Sequence, residues 1–166
     1  MTATATSGVF GPPRDTADLA AVKALFLEYA QSLDFDLCFQ DFEAEMAAFP
    51  GQYAPPGGAL LLARLDGAAV GAVGLRDLGE GICEMKRLYL RPAARGSGLG
   101  PALVDGIIAE GRRLGYRRMR LDTVPGPHDA AIALYRRLGF AEIPPYCLNP
   151  VPGAIYMELA FPVDPA

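Results

Sequence analysis

The chain has few residues of the types that build disulfide frameworks and zinc sites. Its 166 residues include three cysteines and one histidine, His128. Cys38, Cys83 and Cys147 are odd in number, lie far apart and form no C-x-x-C pair. A disulfide scaffold uses an even set of cysteines, and structural zinc sites use Cys and His ligands at short, regular spacing. We therefore predict neither a disulfide framework nor a metal site.

Long apolar runs and an excess of positive charge are also missing. No stretch approaches the ~18 apolar residues that a membrane-spanning helix requires. Residues 1–7 lack the basic start and the apolar centre of a signal peptide. The net charge is -4, from 15 basic and 19 acidic residues, which argues against a protein that coats nucleic acid. The sequence thus predicts a cytoplasmic protein that binds neither membranes nor nucleic acid.

The chain does have enough apolar surface for one core. Hydrophobic residues make up 51% of the sequence, and the length matches one domain of roughly 150 residues. Glycine and proline together make up about 20% of the residues. This share predicts many turns but is below the roughly 25–30% that is typical of low-complexity chains. We expect a tail over residues 1–13 and a single domain over residues 14–166.

The charges are distributed unevenly along the chain. The net charge is -7 over residues 1–83, +6 over residues 84–140 and -3 over residues 141–166. Ordinary solvated surface explains this pattern. A basic site for an anionic ligand, with an amine drawn to the acidic parts, explains it as well. The charge pattern alone leaves both interpretations open.

The first half of the chain predicts two helices followed by three strands. Thr16 is the expected N-cap of a helix that extends to about Ser32, and a shorter helix is predicted from Gln40 to Ala48. An Asp-Gly turn at residues 66–67 joins apolar runs on either side, which is typical of a hairpin, and a third strand follows at residues 82–90. These strands predict an antiparallel meander.

The second half alternates strands and helices. A helix closed by Gly115 leads into a strand at residues 118–123, and a helix at 130–138 precedes strands at 140–143 and 154–161. A strand, a helix and a strand in succession predict a parallel pair joined by a crossover helix. The fold class is therefore α/β with a mixed α+β sheet, in which an antiparallel N-terminal meander joins a parallel strand pair.

A glycine-rich loop, Arg95-Gly96-Ser97-Gly98-Leu99-Gly100, lies between the third strand and the crossover helix. Its glycines leave backbone N–H groups uncovered at a helix N-terminus, which favours an anion such as phosphate. A simple tight turn would look the same. The loop is not a Walker A motif, because Pro101-Ala102 stand where Lys and Ser or Thr are required, and its G-x-G-x-G spacing differs from the dinucleotide fingerprint.

Three sequence blocks together resemble one family. The loop fits the R/Q-x-x-G-x-G/A signature of the GNAT superfamily of acyl-CoA-dependent N-acyltransferases. The block from Glu84 to Pro92 precedes it and the block from Ala133 to Phe140 follows it, in the order and spacing of the family. The resemblance covers residues 59–161. It implies the GNAT fold and an N-acetyltransferase that moves an acetyl group directly from acetyl-CoA to a primary amine of a small molecule.

The resemblance also implies where acetyl-CoA binds. The pyrophosphate of the coenzyme would bind the loop, which maps to Arg95, Gly96, Ser97, Gly98, Leu99 and Gly100. The pantetheine arm would run beside the backbone of Leu88, Tyr89 and Leu90, where two parallel strands that splay apart leave N–H and C=O groups unpaired. The N–H of Leu88 is the candidate oxyanion donor, and no metal is required.

Acyl transfer from a thioester to an amine needs an acceptor for the amine proton and a donor for the leaving thiolate. By its place in the family's last block, Tyr135 is implied as the general acid, with core packing as the alternative. Glu84 is implied as the base, and the alternative is a strand-surface glutamate or one paired with Lys86 or Arg87. His128 could titrate near neutral pH, but a residue at the start of a helix is the favoured interpretation.

The acceptor amine is expected to contact the segments that the family motifs leave most variable. These are the loop after the first helix and the loop near the C-terminus, which place Phe39, Tyr146 and Asn149 in the acceptor site. Both segments are acidic or polar with aromatic residues. That composition favours a small primary amine, such as an amino acid or a polyamine-like compound.

Two other functions remain compatible with the sequence. A non-catalytic acyl-CoA sensor or binding module would bind the coenzyme but release no free thiol when amines are supplied. A nucleotide-binding regulatory domain would use the same loop, and ATP or NAD would then compete with CoA. A homodimer would be consistent with the family.

Overall fold

A mixed sheet of seven strands forms the centre of the protein in the computed structural model, which describes residues 8–33 and 41–162. In space the strands follow the order β1-β2-β3-β4-β5-β7-β6. Along the chain they are β1 Gly8–Gly11, β2 Ala59–Leu65, β3 Ala68–Gly79, β4 Ile82–Leu90, β5 Arg118–Thr123, β6 Ala141–Ile143 and β7 Ile155–Ala160. Within the described strands, β4 and β5 run parallel and the other neighbours are antiparallel.

Four α-helices connect or cover these strands within the described residues: α1 Thr16–Ser32, α2 Phe42–Ala48, α3 Leu99–Arg113 and α4 Asp129–Leu138. Helix α3 is the crossover between β4 and β5. The meander β2-β3-β4, the parallel pair and its crossover helix confirm the predicted fold class. None of the described helices is long and apolar enough to span a membrane.

Two predictions at the N-terminal end are wrong. Residues 8–11, expected within a tail over residues 1–13, form β1 and pair with β2 from Gly8↔Leu65 to Gly11↔Leu62. The cap of α1 is Asp15 rather than Thr16, and its carboxylate accepts a hydrogen bond of 2.8 Å from the N–H of Asp18. Strand β1 is short, and its partner strand lies some fifty residues further along the chain. No local sequence pattern therefore predicts it.

The two faces of the sheet carry separate cores because side chains alternate along each strand. Leu61 and Ala63 of β2 face the core under α3, which Leu103 and Ile107 fill. The neighbouring positions of β2 face the other way, against the helix α1. Helices therefore pack on both faces of the sheet.

Strands β4 and β5 separate in the middle of the sheet. They pair over three positions, from Ile82↔Arg118 to Glu84↔Arg120, although β4 continues to Leu90. Beyond that point Arg87 has a φ of +61°, and the register of β4 against β3 shifts. This bulge turns β4 away from β5. The predicted splaying of the parallel pair is therefore confirmed.

A tight contact on β3 yields a test of this packing. A Cβ at Gly74 would lie 2.7 Å from Cε1 of Tyr53, a ring that is 2% exposed. We expect Gly74→Ala to lower the free energy of unfolding by about 1–3 kcal/mol, because the buried ring has no room to move. Urea denaturation measures the change. The matched control is Gly11→Ala on β1, where a Cβ meets nothing within 4 Å, and a similar loss there would refute the packing argument.

Candidate active site

Glu84 lies at the last position of β4 that pairs with β5, and its side chain is 1% exposed. Its Oε1 accepts a hydrogen bond of 2.7 Å from Nε of Arg76 on β3, and Nζ of Lys86 lies 3.8 Å away. Its Oε2 accepts a hydrogen bond of 2.6 Å from the hydroxyl of Tyr146. Glu84 is thus not a surface residue, and its ion pair with Lys86, one of the alternatives above, is present alongside a closer one with Arg76.

The loop between β6 and β7 brings two of the predicted acceptor residues to this place. Tyr146 contacts Glu84, and Nδ2 of Asn149 donates a hydrogen bond of 3.0 Å to Oδ2 of Asp122 on β5. Oδ1 of Asn149 accepts a hydrogen bond of 3.0 Å from the N–H of Val151, which orders the loop. The third predicted acceptor residue, Phe39, lies outside the described residues.

The ring of Tyr146 is held on more than one side. It meets the ring of Tyr156 edge-on, with centroids 5.6 Å apart. The guanidinium of Arg120 lies 5.3 Å from its centroid, and the same guanidinium donates a hydrogen bond of 2.7 Å to Glu158. Burial, with the negative charge of Glu84, raises the pKa of Tyr146 well above the usual range. The phenol is therefore protonated at physiological pH.

Asp122 and Cys147 complete this polar group and were not predicted from the sequence. A carboxylate oxygen of Asp122, the thiol of Cys147 and a carboxylate oxygen of Glu84 lie within 4.8 Å of one another. Burial, followed by the charges of Asp122 and Glu84, raises the pKa of Cys147 to about 11. The thiol is therefore protonated at neutral pH. The sequence signal for Asp122 is its place at the end of a strand, where functional side chains often occur.

Tyr135 lies in a separate, aromatic group. It is 6% exposed within the core under α3, and its ring centroid is 5.5 Å from that of Phe140. Burial raises its pKa above the ordinary value, and the nearby phenol of Tyr29 on α1 adds to this. Burial also raises the pKa of Tyr29, to about 12. Tyr135 therefore packs in the core, which is the alternative given above to its role as the general acid.

His128 connects α1 to the start of α4. It occupies the N-cap position of α4, as its interpretation as a helix-start residue predicted. Its Nδ1 accepts a hydrogen bond of 3.4 Å from the N–H of Val124, and its ring stacks on Tyr29 at 6.1 Å. Burial lowers its pKa, and the charge of Asp122 opposes this. The charge of Asp122 therefore acts on Tyr29 in the aromatic group and on Tyr146 beside Glu84.

The glycine-rich loop has the backbone conformation that its sequence suggested. Gly96 and Gly98 have φ values of +84° and +88°, a region that favours glycine. Gly98 is the N-cap of α3, a helix of 15 residues, so the loop lies at the positive end of a long helix dipole. A Cβ at Gly100 would meet only Leu90, at 3.9 Å, which leaves its outer side open. Leu99 is buried and anchors the loop to the core.

These features fit a coenzyme that carries a pyrophosphate and an amide-containing arm. The loop lies at the N-terminus of α3, and the N-terminus of a helix suits a phosphate. Tyr89 and Leu90 pair with β3 on one side only. Because β4 has already separated from β5 there, the other edge can hydrogen-bond to amides of an extended arm. The side chain of Tyr89 is buried, so it is the backbone that fits this role.

Comparison with known proteins agrees with this arrangement. Residues 19–140 match the model of the acetyltransferase (GNAT) family. An uncharacterized N-acetyltransferase from Schizosaccharomyces pombe is 44% identical over 144 residues, which covers 86% of this chain and 88% of that protein. An IAA acetyltransferase from Azospirillum brasilense is 38% identical over 101 residues, which covers 59% of this chain and 65% of that protein.

Solved structures show the same fold. The ribosomal-protein-S18-alanine N-acetyltransferase from Escherichia coli superposes with a TM-score of 0.70 at 20% identity, covering 96% of this chain and 97% of that one. The protein yncA from Salmonella typhimurium, solved with its cofactor acetyl-CoA, gives 0.66 at 22% identity, covering 98% of both chains. The family match and the S. pombe relative lead to one conclusion: this chain belongs to the GNAT family of acetyltransferases and is an acyltransferase enzyme.

Proposed function

We propose that this enzyme transfers the acetyl group of acetyl-CoA directly to the primary amine of a small molecule, with Glu84 as the base and Tyr135 as the general acid. The observation that carries the proposal is the buried carboxylate of Glu84 at the point where β4 and β5 separate. Two of the predicted acceptor residues, Tyr146 and Asn149, lie around it. A base, an acceptor loop and an open strand edge thus converge on one place.

Residues of this chain would hold acetyl-CoA at two points. The loop from Arg95 to Gly100 would bind the pyrophosphate through backbone N–H groups and the dipole of α3. The free edge of Leu88, Tyr89 and Leu90 would bind the pantetheine arm. When bound, acetyl-CoA supplies a thioester carbonyl. The N–H of Leu88, next to the bulge at Arg87, would stabilise the negative charge on that oxygen.

The chemistry requires two proton transfers. The amine nitrogen bonds to the carbonyl carbon as the carbon–sulfur bond breaks, and the amine proton goes to the carboxylate of Glu84. Tyr135 donates its phenolic proton to the sulfur. Burial raises the pKa of Tyr135, so the phenol holds its proton at neutral pH before the transfer.

The acceptor is proposed to be a small primary amine. Glu84 and Asp122 supply carboxylates, which accept hydrogen bonds from an amine, and Tyr146 and Asn149 supply hydrogen-bonding groups beside them. This set suits an amine better than an anionic acceptor. A cytoplasmic location, a homodimer and independence from metals remain predictions, which fractionation, gel filtration and assays in EDTA can check.

Acetyl-CoA binding and amine-dependent turnover test the proposal as a whole. We expect calorimetry to give a Kd between about 1 µM and 1 mM. We also expect a panel of amino acids and polyamines to include amines that release free CoA thiol. Binding without thiol release would favour a sensor. Absence of both binding heat and a thermal shift would refute the coenzyme site, and competition by ATP or NAD would favour a nucleotide-binding domain.

Gly100→Ala separates coenzyme binding from folding. The new methyl group fits the fold, where it would meet only Leu90 at 3.9 Å, and alanine favours a helix by up to about 1 kcal/mol over glycine. We therefore expect the same or higher thermal stability. The methyl group would obstruct the pyrophosphate, so we expect the Kd for acetyl-CoA to rise about tenfold or more. Gly11→Ala is the control, and an unchanged Kd for Gly100→Ala would contradict this binding mode.

Tyr135→Phe tests the general acid. The variant keeps the ring contact with Phe140 and removes only the hydroxyl. We expect kcat to fall by about 10- to 1,000-fold, with little change in stability or in acetyl-CoA affinity. Tyr116→Phe is the matched control, because it removes a hydroxyl that donates a 2.6 Å hydrogen bond to Gly57. A normal kcat for Tyr135→Phe from neutral to alkaline pH would leave the tyrosine a packing residue.

Glu84→Gln tests the base. The amide keeps the size of the side chain but cannot take up a proton at physiological pH. We expect kcat to fall and the acidic limb of the pH–rate profile to disappear, since that limb reports protonation of the base. Glu110→Gln, which removes a carboxylate paired with Arg113 on α3, is the control. If the profile of Glu84→Gln kept its limb, the amine would be arriving already neutral from solution.

A further inference from the structure

The partners of Glu84 separate its carboxylate from solvent. The side chain is 1% exposed. Arg76, at 2.7 Å, and Lys86, at 3.8 Å, cover Oε1, while the hydroxyl of Tyr146 covers Oε2 at 2.6 Å. An incoming amine would have to displace one of these groups to contact Glu84 directly.

Tyr146 differs from the other two partners in its chemistry. Guanidinium and ammonium groups only donate hydrogen bonds, so neither Arg76 nor Lys86 can accept a proton from an amine while charged. A phenolic hydroxyl donates one hydrogen bond and keeps lone pairs that accept another. Tyr146 donates to Glu84 and is more exposed than Glu84. It can therefore accept an N–H from an incoming amine and donate to the carboxylate at the same time.

The position of the Tyr146 hydroxyl is built into the fold. The ring is packed edge-on against Tyr156, and Arg120 lies over it at 5.3 Å. Three residues further along, Asn149 ties the same loop to Asp122 with a 3.0 Å hydrogen bond. Contacts to β5 and β7 thus fix the ring and the loop together, and the hydroxyl is directed at Oε2 of Glu84.

We propose that Tyr146 is a catalytic residue that relays the amine proton to Glu84. This inference rests on the proposed function and adds a group to its base. As the nitrogen bonds to the carbonyl carbon, its proton moves to the Tyr146 oxygen and the phenolic proton moves to Oε2 of Glu84. The carbon–sulfur bond breaks, and the sulfur takes the proton of Tyr135. Tyr146 receives one proton and gives one, so its charge does not change.

The electrostatics around Tyr146 agree with a concerted relay. Burial and the charge of Glu84 raise the pKa of Tyr146, which disfavours a separate phenolate. Other charged or titratable groups face it as well: Arg120 and Tyr156 lie against the ring, Arg76 and Lys86 pair with the same carboxylate, and Asp122 and Cys147 also act on its pKa. Two other roles are physically distinct. Tyr146 would contribute only affinity if it merely bound the amine, and it would act as a barrier if it had to swing away.

Tyr146→Phe in the full chain tests the relay with acetyl-CoA and the amine of the panel that the parent turns over fastest. The ring contacts remain, so thermal stability and the Kd for acetyl-CoA should change little. We expect kcat to fall by about 100-fold or more and the acidic limb of the pH–rate profile to be lost, as for Glu84→Gln. Because the two groups act in series, the double variant should lose no more than the worse single variant. Tyr116→Phe is again the control.

Each other outcome overturns the relay. A higher KM with an unchanged kcat would assign Tyr146 to amine binding alone. An unchanged or higher kcat with an unchanged KM would mean that the amine reaches Glu84 directly. Losses that multiply in the double variant would mean that the two residues act independently. A parent enzyme that turns over no amine of the panel would instead refute the proposed function, and the relay with it.

Discussion

Because β4 and β5 pair over three positions and then diverge, a row of backbone polar groups is left open in the middle of the sheet. The bulge at Arg87 produces this divergence, and a positive φ at a non-glycine residue costs about 1–3 kcal/mol. Contacts from α2 hold it in place: Glu45 accepts a 3.2 Å hydrogen bond from the Arg87 guanidinium, which also lies 5.0 Å from the ring centroid of Phe42. Contacts from α2 thus help to hold the conformation of β4 at the point where it separates from β5.

A cluster of charged residues around Glu84 is buried beside this opening. A buried carboxylate is destabilising by several kcal/mol unless it is paired and hydrogen-bonded. Glu84 has both kinds of partner, from β3, from its own strand and from the loop before β7. Burial lowers the pKa of Lys86, and the charge of Glu84 opposes that effect. The charged residues of the cluster therefore stabilise one another. The loop between β6 and β7 contributes to this through Tyr146.

Local patterns carry much of this architecture. The Asp-Gly turn, the apolar runs on either side of it and the glycines before α3 are short-range signals, since each depends on neighbouring residues. They predicted the meander, the crossover helix and the glycine-rich turn at its start. The family blocks added Glu84 and Tyr135 as candidates, because they relate sequence position to a known fold. Even so, they did not distinguish a surface glutamate from a buried one, since burial depends on what covers the strand.

What the sequence by itself determined is the order of the elements from α1 onward, the mixed sheet and the glycine-rich turn before α3. Only the tertiary structure decided that Gly8–Gly11 completes the sheet, that Arg76 pairs with Glu84 and that the charge of Asp122 acts on both Tyr29 and Tyr146. It also placed the hydroxyl of Tyr146 on a carboxylate 62 positions away in the chain. The physical reason is that a long-range contact depends on the path of every element between its two residues, and no local periodicity records that path.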